Sequence, residues 1–121
     1  MADSGTLSTT AQVLLAIGKE ASADQILEAN TNIWILYAES EMETEAGQNV
    51  EIVSNYASIT ASMKQWLASV AANRAAWHGI NQDQNNWKLS TTQSKLNVLN
   101  ASWEDFKKKI KDKDVIADLG L

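Results

Sequence analysis

The feature that most constrains the fold of this chain is its lack of proline: there is none in 121 residues, and there are only five glycines. Proline fixes φ and has no amide hydrogen, while glycine supplies the positive-φ positions of tight turns, so turn-rich β folds use both residues often. A chain with so few breaks favours long helices. The sequence therefore predicts an all-α fold, with residues 1–121 forming a single helical domain.

Two regular series of large side chains predict helices that pack along a seam. Positions at alternating spacings of three and four run from Ile35 to Trp77, and again from Leu89 to Ile110, and most of them are large and apolar from Ile52 onward. This is the heptad pattern of coiled coils. The expected seam residues are Ile52, Tyr56, Ile59, Met63, Trp66, Val70 and Trp77 in the first series, and Leu96, Leu99, Trp103, Phe106 and Ile110 in the second.

The segment between the two series, residues 78–86, has the composition of a turn, and its glycine suits a left-handed helix end. We therefore predict an antiparallel long-helix hairpin with coiled-coil character. Residues 11–77 would contain the N-terminal helices and the first arm, and residues 87–113 the second arm. With the turn in this place, Trp66 is expected near Val98 and Leu99.

The two ends of the chain are predicted to differ from the hairpin. Residues 1–10 are polar and rich in Ser and Thr, which indicates a flexible leader, and residues 114–121 form a tail. Apolar residues after the leader indicate a short N-terminal helix that weakens at Gly18. Ser22 followed by Gln25 resembles a capping box, so a further helix is expected to start near residue 23.

Charge and composition exclude several classes of partner. The net charge of −5 and the pI near 4.7 disfavour nucleic acid, whose binding depends on Lys and Arg replacing counterions. The longest dense apolar run has five residues, far short of the ~20 that span a bilayer, so no membrane span is expected. No cysteine is present for disulfides or thiolate chemistry, and the N-terminus lacks the basic and apolar regions of a signal peptide.

Candidate catalytic groups are sparse. His78 is the only histidine, and the sequence places no catalytic or metal-binding partners beside it, so a structural or solvent-facing role is expected. Glu39, Glu41, Glu43 and Glu45 alternate with other residues, which favours a solvated patch, although a paired-carboxylate acid/base site is the alternative. No phosphate-binding loop or nucleophile elbow is present. We expect no catalytic residue, metal ligand or cofactor, and a protein that is not an enzyme.

The segment from residue 46 to residue 77 is short of charge. Only Glu51, Lys64 and Arg74 are charged there, where an average composition would give about eight charged residues. A row of alanines beside the seam could admit another helix, either the N-terminal helix of the same chain or a helix of a neighbouring subunit. The candidate interface consists of Ala57, Ala61, Ala68, Ala71 and Ala75, with Trp34 and Tyr37 on an exposed acidic segment.

The chain has a polar leader followed by long heptad helices rich in Ala, Ser and Gln. In this arrangement the whole chain resembles the filament and translocator proteins of bacterial type III secretion. That resemblance implies an exported protein that polymerises through coiled coils. A second resemblance is to the WxG family of secreted helical hairpins, because Trp77-His78-Gly79 stands at the predicted turn. The sequence departs from that family: the motif lies late in the chain, and no Tyr-x-x-x-Asp/Glu export signal follows the second arm.

These observations predict a non-enzymatic structural or interaction protein that assembles through helix packing. Its partner is expected to be itself, as a homo-oligomer or filament, or another helical protein. The leading interpretation is an exported subunit of a secretion filament or translocator, located outside the cell after secretion without a signal peptide, or in the cytoplasm before export. The alternatives are a WxG-type secreted hairpin dimer and a cytosolic helical adaptor or regulator that holds a partner helix in a groove.

Overall fold

The computed structural model describes residues 5–18, 25, 27–46, 52–82 and 89–111. All regular structure in these ranges is helical, which confirms the all-α prediction for this part of the chain. Among the described helices, none combines the length and the hydropathy that a membrane crossing requires. The elements are α1 (Thr10–Ile17), α2 (Glu28–Ala46), a short 3-10 helix (Tyr56–Ser58), α3 (Ala61–Gln82) and α4 (Leu89–Ile110).

Helix α3 is the centre of the structure, because α1, α2 and α4 all pack against it. Its low charge is therefore explained within the chain: a helix contacted by three others has little surface left for solvated groups. One core cluster joins its first half to α4 and to Ile52 and Ile59. A second cluster joins its other half to α1 and α2 and includes Ala72, Ala75 and Ala76.

Helix α1 matches the short N-terminal helix that the sequence predicts up to Gly18. Thr9 caps its start in a capping box with Gln12, in which each side chain accepts a hydrogen bond from the other residue's backbone N–H. Gly18 ends the helix with a φ of 96° and donates its N–H to the carbonyl oxygen of Leu14 at 2.9 Å. A residue with a side chain would be strained at this φ.

The leader is not a free segment where the structure describes it. Leu7 is buried in the first core cluster. The backbone N–H groups of Thr6 and Leu7 donate to the carboxylate of Glu39 at 2.7 Å and 2.6 Å. The prediction of a flexible leader is therefore wrong for these residues, because one apolar side chain and one buried carboxylate hold them against α2.

Helix α2 begins later than predicted. Gln25 lies in a turn before the helix, and its side-chain amide donates to the carbonyl oxygen of Gly79 at 3.0 Å. The amide thus makes a contact with α3, and the helix starts at Glu28. Ser22, the other half of the predicted capping box, lies outside the described residues.

The first predicted arm is not one continuous helix. Helix α2 ends at Ala46, and residues 52–60 form a turn and the 3-10 helix before α3 begins. This stretch is rich in β-branched residues, Ser and Asn, which have low helix propensity. Ile52 and Ile59 are nevertheless buried, so the apolar spacing marks core positions correctly although the backbone there is not α-helical.

Most of the predicted seam lies in the interior. Trp103 stacks on Phe106 with ring centroids 5.3 Å apart, and Trp66 lies 5.6 Å from Phe106. The prediction that Trp66 lies near Val98 and Leu99 is wrong by about two turns, at ~3.6 residues per turn. The buried seam residues are Ile52, Ile59, Val70, Leu99, Trp103, Phe106 and Ile110, and the partly buried ones are Tyr56, Met63, Trp66, Trp77 and Leu96.

The pairing between α3 and α4 is shifted from the predicted one because α3 does not stop at Gly79 but continues to Gln82. The predicted turn at 78–86 is therefore helical as far as residue 82, and residues 83–86 lie outside the described residues. Gly79 serves close packing instead of helix termination. A Cβ placed there would come within 2.9 Å of the ring of Trp34.

Candidate functional site

The most prominent exposed apolar surface in the described residues lies on α2. Ile33, Leu36 and Tyr37 are 44%, 46% and 50% exposed, and we call these three residues the α2 patch. They belong to a run of five apolar residues on a helix. Because successive residues point ~100° apart, such a run cannot face one side only. Trp34 and Ile35 turn inward, and the other three face solvent.

The opposite face of α2 is held firmly in the core. Ile35, Ala38 and Met42 are fully buried, and Trp34 lies against Gly79. The prediction of Trp34 as an exposed contact residue is therefore wrong, because its ring fills the space that the glycine leaves. Tyr37, the other aromatic residue of that prediction, is half exposed. Its ring and the His78 ring are arranged edge to face, with their centroids 5.9 Å apart.

A polar network beside the patch ties α2 to α3 and α4. Arg74 donates from Nε and Nη2 to one carboxylate oxygen of Glu41, at 3.1 Å and 2.7 Å, and the other oxygen is hydrogen-bonded to Nε2 of His78. The guanidinium group of Arg74 also lies over the rings of Trp77 and Trp103, at 4.2 Å and 4.6 Å from their centroids. One arginine thus joins three helices through charge and aromatic contacts.

The pKa of Glu41 shows which effect prevails in this network. Burial by itself would raise the pKa, but the hydrogen bonds and positive charges of Arg74 and His78 lower it below the ordinary value. Glu41 is therefore held as a carboxylate that links helices. Among the described residues, no three His, Cys, Asp or Glu side chains come together in a way that could hold a metal ion.

Glu39 differs from Glu41, although both were predicted to belong to a solvated patch. Glu39 is buried and accepts the two N–H bonds from the leader. Burial raises its pKa, the hydrogen bonds from Leu7 and Thr6 oppose the rise, and the nearby charge of Glu43 adds to it. The solvated-patch prediction is wrong for both Glu39 and Glu41, because the packing partners of α2 were not visible in its sequence.

The predicted alanine row is divided between interior and surface. Ala71 and Ala75 are fully buried by helices of the same chain, so neither can touch a partner while the helices stay packed. Ala57 and Ala61 are exposed, and Ala68 is partly exposed. The N-terminal helices of the same chain therefore cover Ala71 and Ala75. Coverage by the same chain was one of the two alternatives for this row, and coverage by a neighbouring subunit was the other.

A groove runs between α3 and the segment that comprises the leader and α1. The half-buried Ala68 lies on its α3 side, and Leu15, which is 82% exposed, lies on its α1 side. Lys64 also lines it, with its ammonium group 4.6 Å from the centroid of the Tyr56 ring. The groove has one described cation, and its lining mixes small apolar side chains with hydroxyl and amide side chains.

The C-terminal end of α4 is basic, with three lysines in its last turn. Lys107 pairs with Glu104 at 3.0 Å and Lys109 pairs with Asp105 at 2.9 Å, and these exposed pairs contribute little to stability. Glu45, near the end of α2, borders a shallow groove with Lys107, Lys108 and Lys111. The acidic end of α2 thus faces the basic end of α4 within the chain.

Sequence reasoning missed Ile33 and Leu36 as surface residues, and it missed Glu41 and Arg74 as a pair. The five-residue apolar run was a usable signal for the first two. For the ion pair there was none, because it depends on how α2 lies along α3. No protein-family model, no curated protein and no solved structure matches the chain. Function therefore has to be inferred from the residues themselves.

Proposed function

We propose that this protein is a non-enzymatic subunit that assembles with copies of itself through helix packing, using the α2 patch as its main contact surface. The observation that carries this proposal is the placement of Ile33, Leu36 and Tyr37, three large apolar side chains, about half exposed on adjacent turns. Apolar residues scattered singly over a surface are ordinary, whereas a contiguous group marks an interaction site. Their i, i+3, i+4 spacing suits a partner helix.

The way α2 is held supports this role. Trp34 against Gly79 and Glu41 against Arg74 fix the helix to α3 at two points, one on each side of the patch residues Leu36 and Tyr37. A surface that is already rigid loses less conformational entropy when it binds. The patch is therefore presented to a partner in a defined geometry.

We further propose that α3 and α4 form the antiparallel hairpin that the heptad pattern predicts. Trp66 contacts Phe106, and the side-chain amide of Asn73 donates to the hydroxyl of Ser102 at 3.2 Å, so the contacts follow opposite directions along the two helices. On the sequence resemblance, the assembly would be an exported filament or translocator subunit of type III secretion. In the WxG alternative the chain is a secreted hairpin dimer, but Trp77-His78-Gly79 here lies inside α3. Finding the protein in a culture supernatant tests the export that both readings share.

A cytosolic adaptor is the second candidate, and the groove between α3 and the leader favours it. Leu15 and Ala68 would then receive a partner helix, and the protein alone would be monomeric. Ala61 and Ala57, farther along the alanine row, are exposed and available to such a helix. Absence from the supernatant together with a monomeric state would favour this candidate.

Two matched variants test the assembly proposal. Leu36→Glu places a charge in the α2 patch, where partner burial would leave it unpaired, so assembly should be lost. Leu15→Glu makes the same change at the more exposed leucine on α1 and should leave assembly intact. Light scattering reports assembly, and circular dichroism checks that both variants stay helical. Assembly that is equal in the two variants contradicts the role of the α2 patch.

A further inference from the structure

Two outward faces of this protein have matching spacing. On α2, residues 29, 33, 36, 40 and 43 face away from the core, with four of them exposed and the last partly so; we call them the α2 row. On α4, residues 94, 98, 101, 105 and 108 are all exposed; we call them the α4 row. Both rows follow the 4-3-4-3 spacing by which helices pack along a seam, and at ~1.5 Å per residue each is about 20 Å long.

The two rows also match in chemistry, position by position. Read in order, the α2 row is Ala29, Ile33, Leu36, Ser40 and Glu43, and the α4 row is Ser94, Val98, Ala101, Asp105 and Lys108. A parallel alignment places apolar residues opposite each other in the second and third positions. It places a hydroxyl opposite a carboxylate in the fourth, and a carboxylate opposite an ammonium group in the fifth.

We infer that the α2 row of one copy packs in parallel against the α4 row of the next copy, with Ile33 on Val98, Leu36 on Ala101 and Glu43 beside Lys108. This inference rests on the proposed function and names the partner surface of Ile33 and Leu36, two of the three residues of the α2 patch. The two surfaces are different, so the contact is heterologous. A row of subunits joined by such contacts has a free α2 row at one end and a free α4 row at the other, and growth continues unless a ring closes.

Residue pairing decides against the simplest alternative, in which α2 packs on α2 of a second copy. Helix α2 contains five glutamates and no lysine or arginine, so a parallel contact would place Glu43 against Glu43 with no cation on either helix to offset the charges. An antiparallel contact would place Ile33 against Ser40, so that only Leu36 meets an apolar residue. The α4 row supplies Lys108 at the position that meets Glu43. Lys108 is exposed, although it also borders a groove with Glu45 of its own chain.

The exposure of Val98 also favours α4, rather than a second α2, as the partner of the α2 row. Val98 is 66% exposed and is the large apolar residue of the outward face of α4, where it makes no contribution to either core cluster. In the proposed contact it covers Ile33 and is itself removed from water. Two exposed apolar surfaces are thereby buried by one interface.

The experiment mixes two variants that each block one surface. Leu36→Glu blocks the α2 row and Val98→Glu blocks the α4 row, and each variant alone should be monomeric at the chain mass of 13.3 kDa. In an equimolar mixture, the intact α2 row of one variant meets the intact α4 row of the other. The mixture should therefore show a species of twice the chain mass that does not grow further. Leu15→Glu is the control and should assemble like the wild type.

The outcomes are distinct. If Val98→Glu assembles like the wild type while Leu36→Glu is monomeric, the α4 row is not the partner surface: the inference is overturned and the proposed function stands. The inference is likewise overturned, and the proposed function stands, if both variants are monomeric and their mixture stays monomeric. If Leu36→Glu assembles like the wild type, or if the wild type never assembles, both proposals fall.

A charge exchange gives an independent test that leaves the apolar residues unchanged. Glu43→Lys and Lys108→Glu should each weaken assembly, because each places like charges opposite each other in the contact. The double variant restores opposite charges across every interface and should recover assembly. A double variant as weak as the single ones contradicts the parallel alignment.

Discussion

At the scale of single residues, two glutamates separated by one position on α2 meet opposite environments. Glu39 faces the leader and is buried, which raises its pKa, whereas Glu41 faces Arg74 and His78, which lower its pKa. The first carboxylate holds a backbone segment, and the second holds a helix. Their charges therefore affect stability in opposite directions as the pH changes.

Glu39 should be replaceable by a neutral acceptor but not by an apolar residue. In Glu39→Gln, the amide oxygen can still accept the N–H groups of Thr6 and Leu7 without a buried charge, so the free energy of unfolding at pH 7 should stay within about 1 kcal/mol of wild type. Glu39→Ala leaves both donors without this acceptor and should cost about 1–3 kcal/mol. Urea unfolding measures both values. An equal loss in the two variants would mean that the carboxylate charge, not its accepting oxygen, holds the leader.

Glu41 should make the protein sensitive to acid. Because its folded pKa lies below its unfolded value, the unfolded chain binds more protons, so the stabilisation is present above the unfolded pKa, near 4.5, and is lost as the pH falls through the folded pKa. Glu41→Gln has no proton to take up. Its difference from wild type in unfolding free energy should shrink as the pH is lowered from 7 to 3. A difference that is constant over this range would contradict the lowered pKa.

At the scale of helices, the sequence predicted the buried positions more accurately than the first and last residues of the helices. The heptad spacing found Ile52 and Ile59, because burial depends on apolar character. It did not find the break at residues 52–60, where β-branched residues, Ser and Asn weaken the helix. It also placed the end of α3 at Gly79, because the reason for that glycine is Trp34, a contact far away in the sequence.

The candidate site was predicted less completely, for a similar reason. Tyr37 could be named from the sequence because it is a large residue in an acidic segment. Trp34 has the same character but is buried, since only the orientation of α2 on α3 decides which of the two faces solvent. The covering of Ala71 and Ala75 likewise depends on how the helices assemble. Spacing predicts that a face exists, and tertiary packing decides what covers it.

The contact between α2 and α3 at Gly79 makes a prediction about the two helices. Alanine is favoured over glycine inside a helix by ~1 kcal/mol, but its Cβ would come within 2.9 Å of the buried ring of Trp34. Overpacking costs about 1–3 kcal/mol, so Gly79→Ala should lower the melting temperature. Trp34→Phe removes the part of the ring that clashes, so the same glycine change should cost less in that background. A higher melting temperature for Gly79→Ala alone would show that Trp34 does not lie against α3.

At the scale of the whole molecule, the charges are distributed unevenly. The net charge is −5. The charged side chains of α2 are all carboxylates, whereas three lysines lie in the last turn of α4. An acidic protein that repels its copies on average can still associate where an acidic face meets a basic one. The proposed assembly uses this asymmetry together with the α2 patch. Added salt screens both the attraction between Glu43 and Lys108, which are at the surface, and the average repulsion between the copies.

The central claim is that this chain assembles through its exposed helix faces, and sedimentation equilibrium of the wild-type protein over a wide concentration range tests it most directly. For the proposed assembly, the average mass should rise steadily above 13.3 kDa with concentration and should not level off at a dimer. A mass that remains at 13.3 kDa at every concentration would contradict the account.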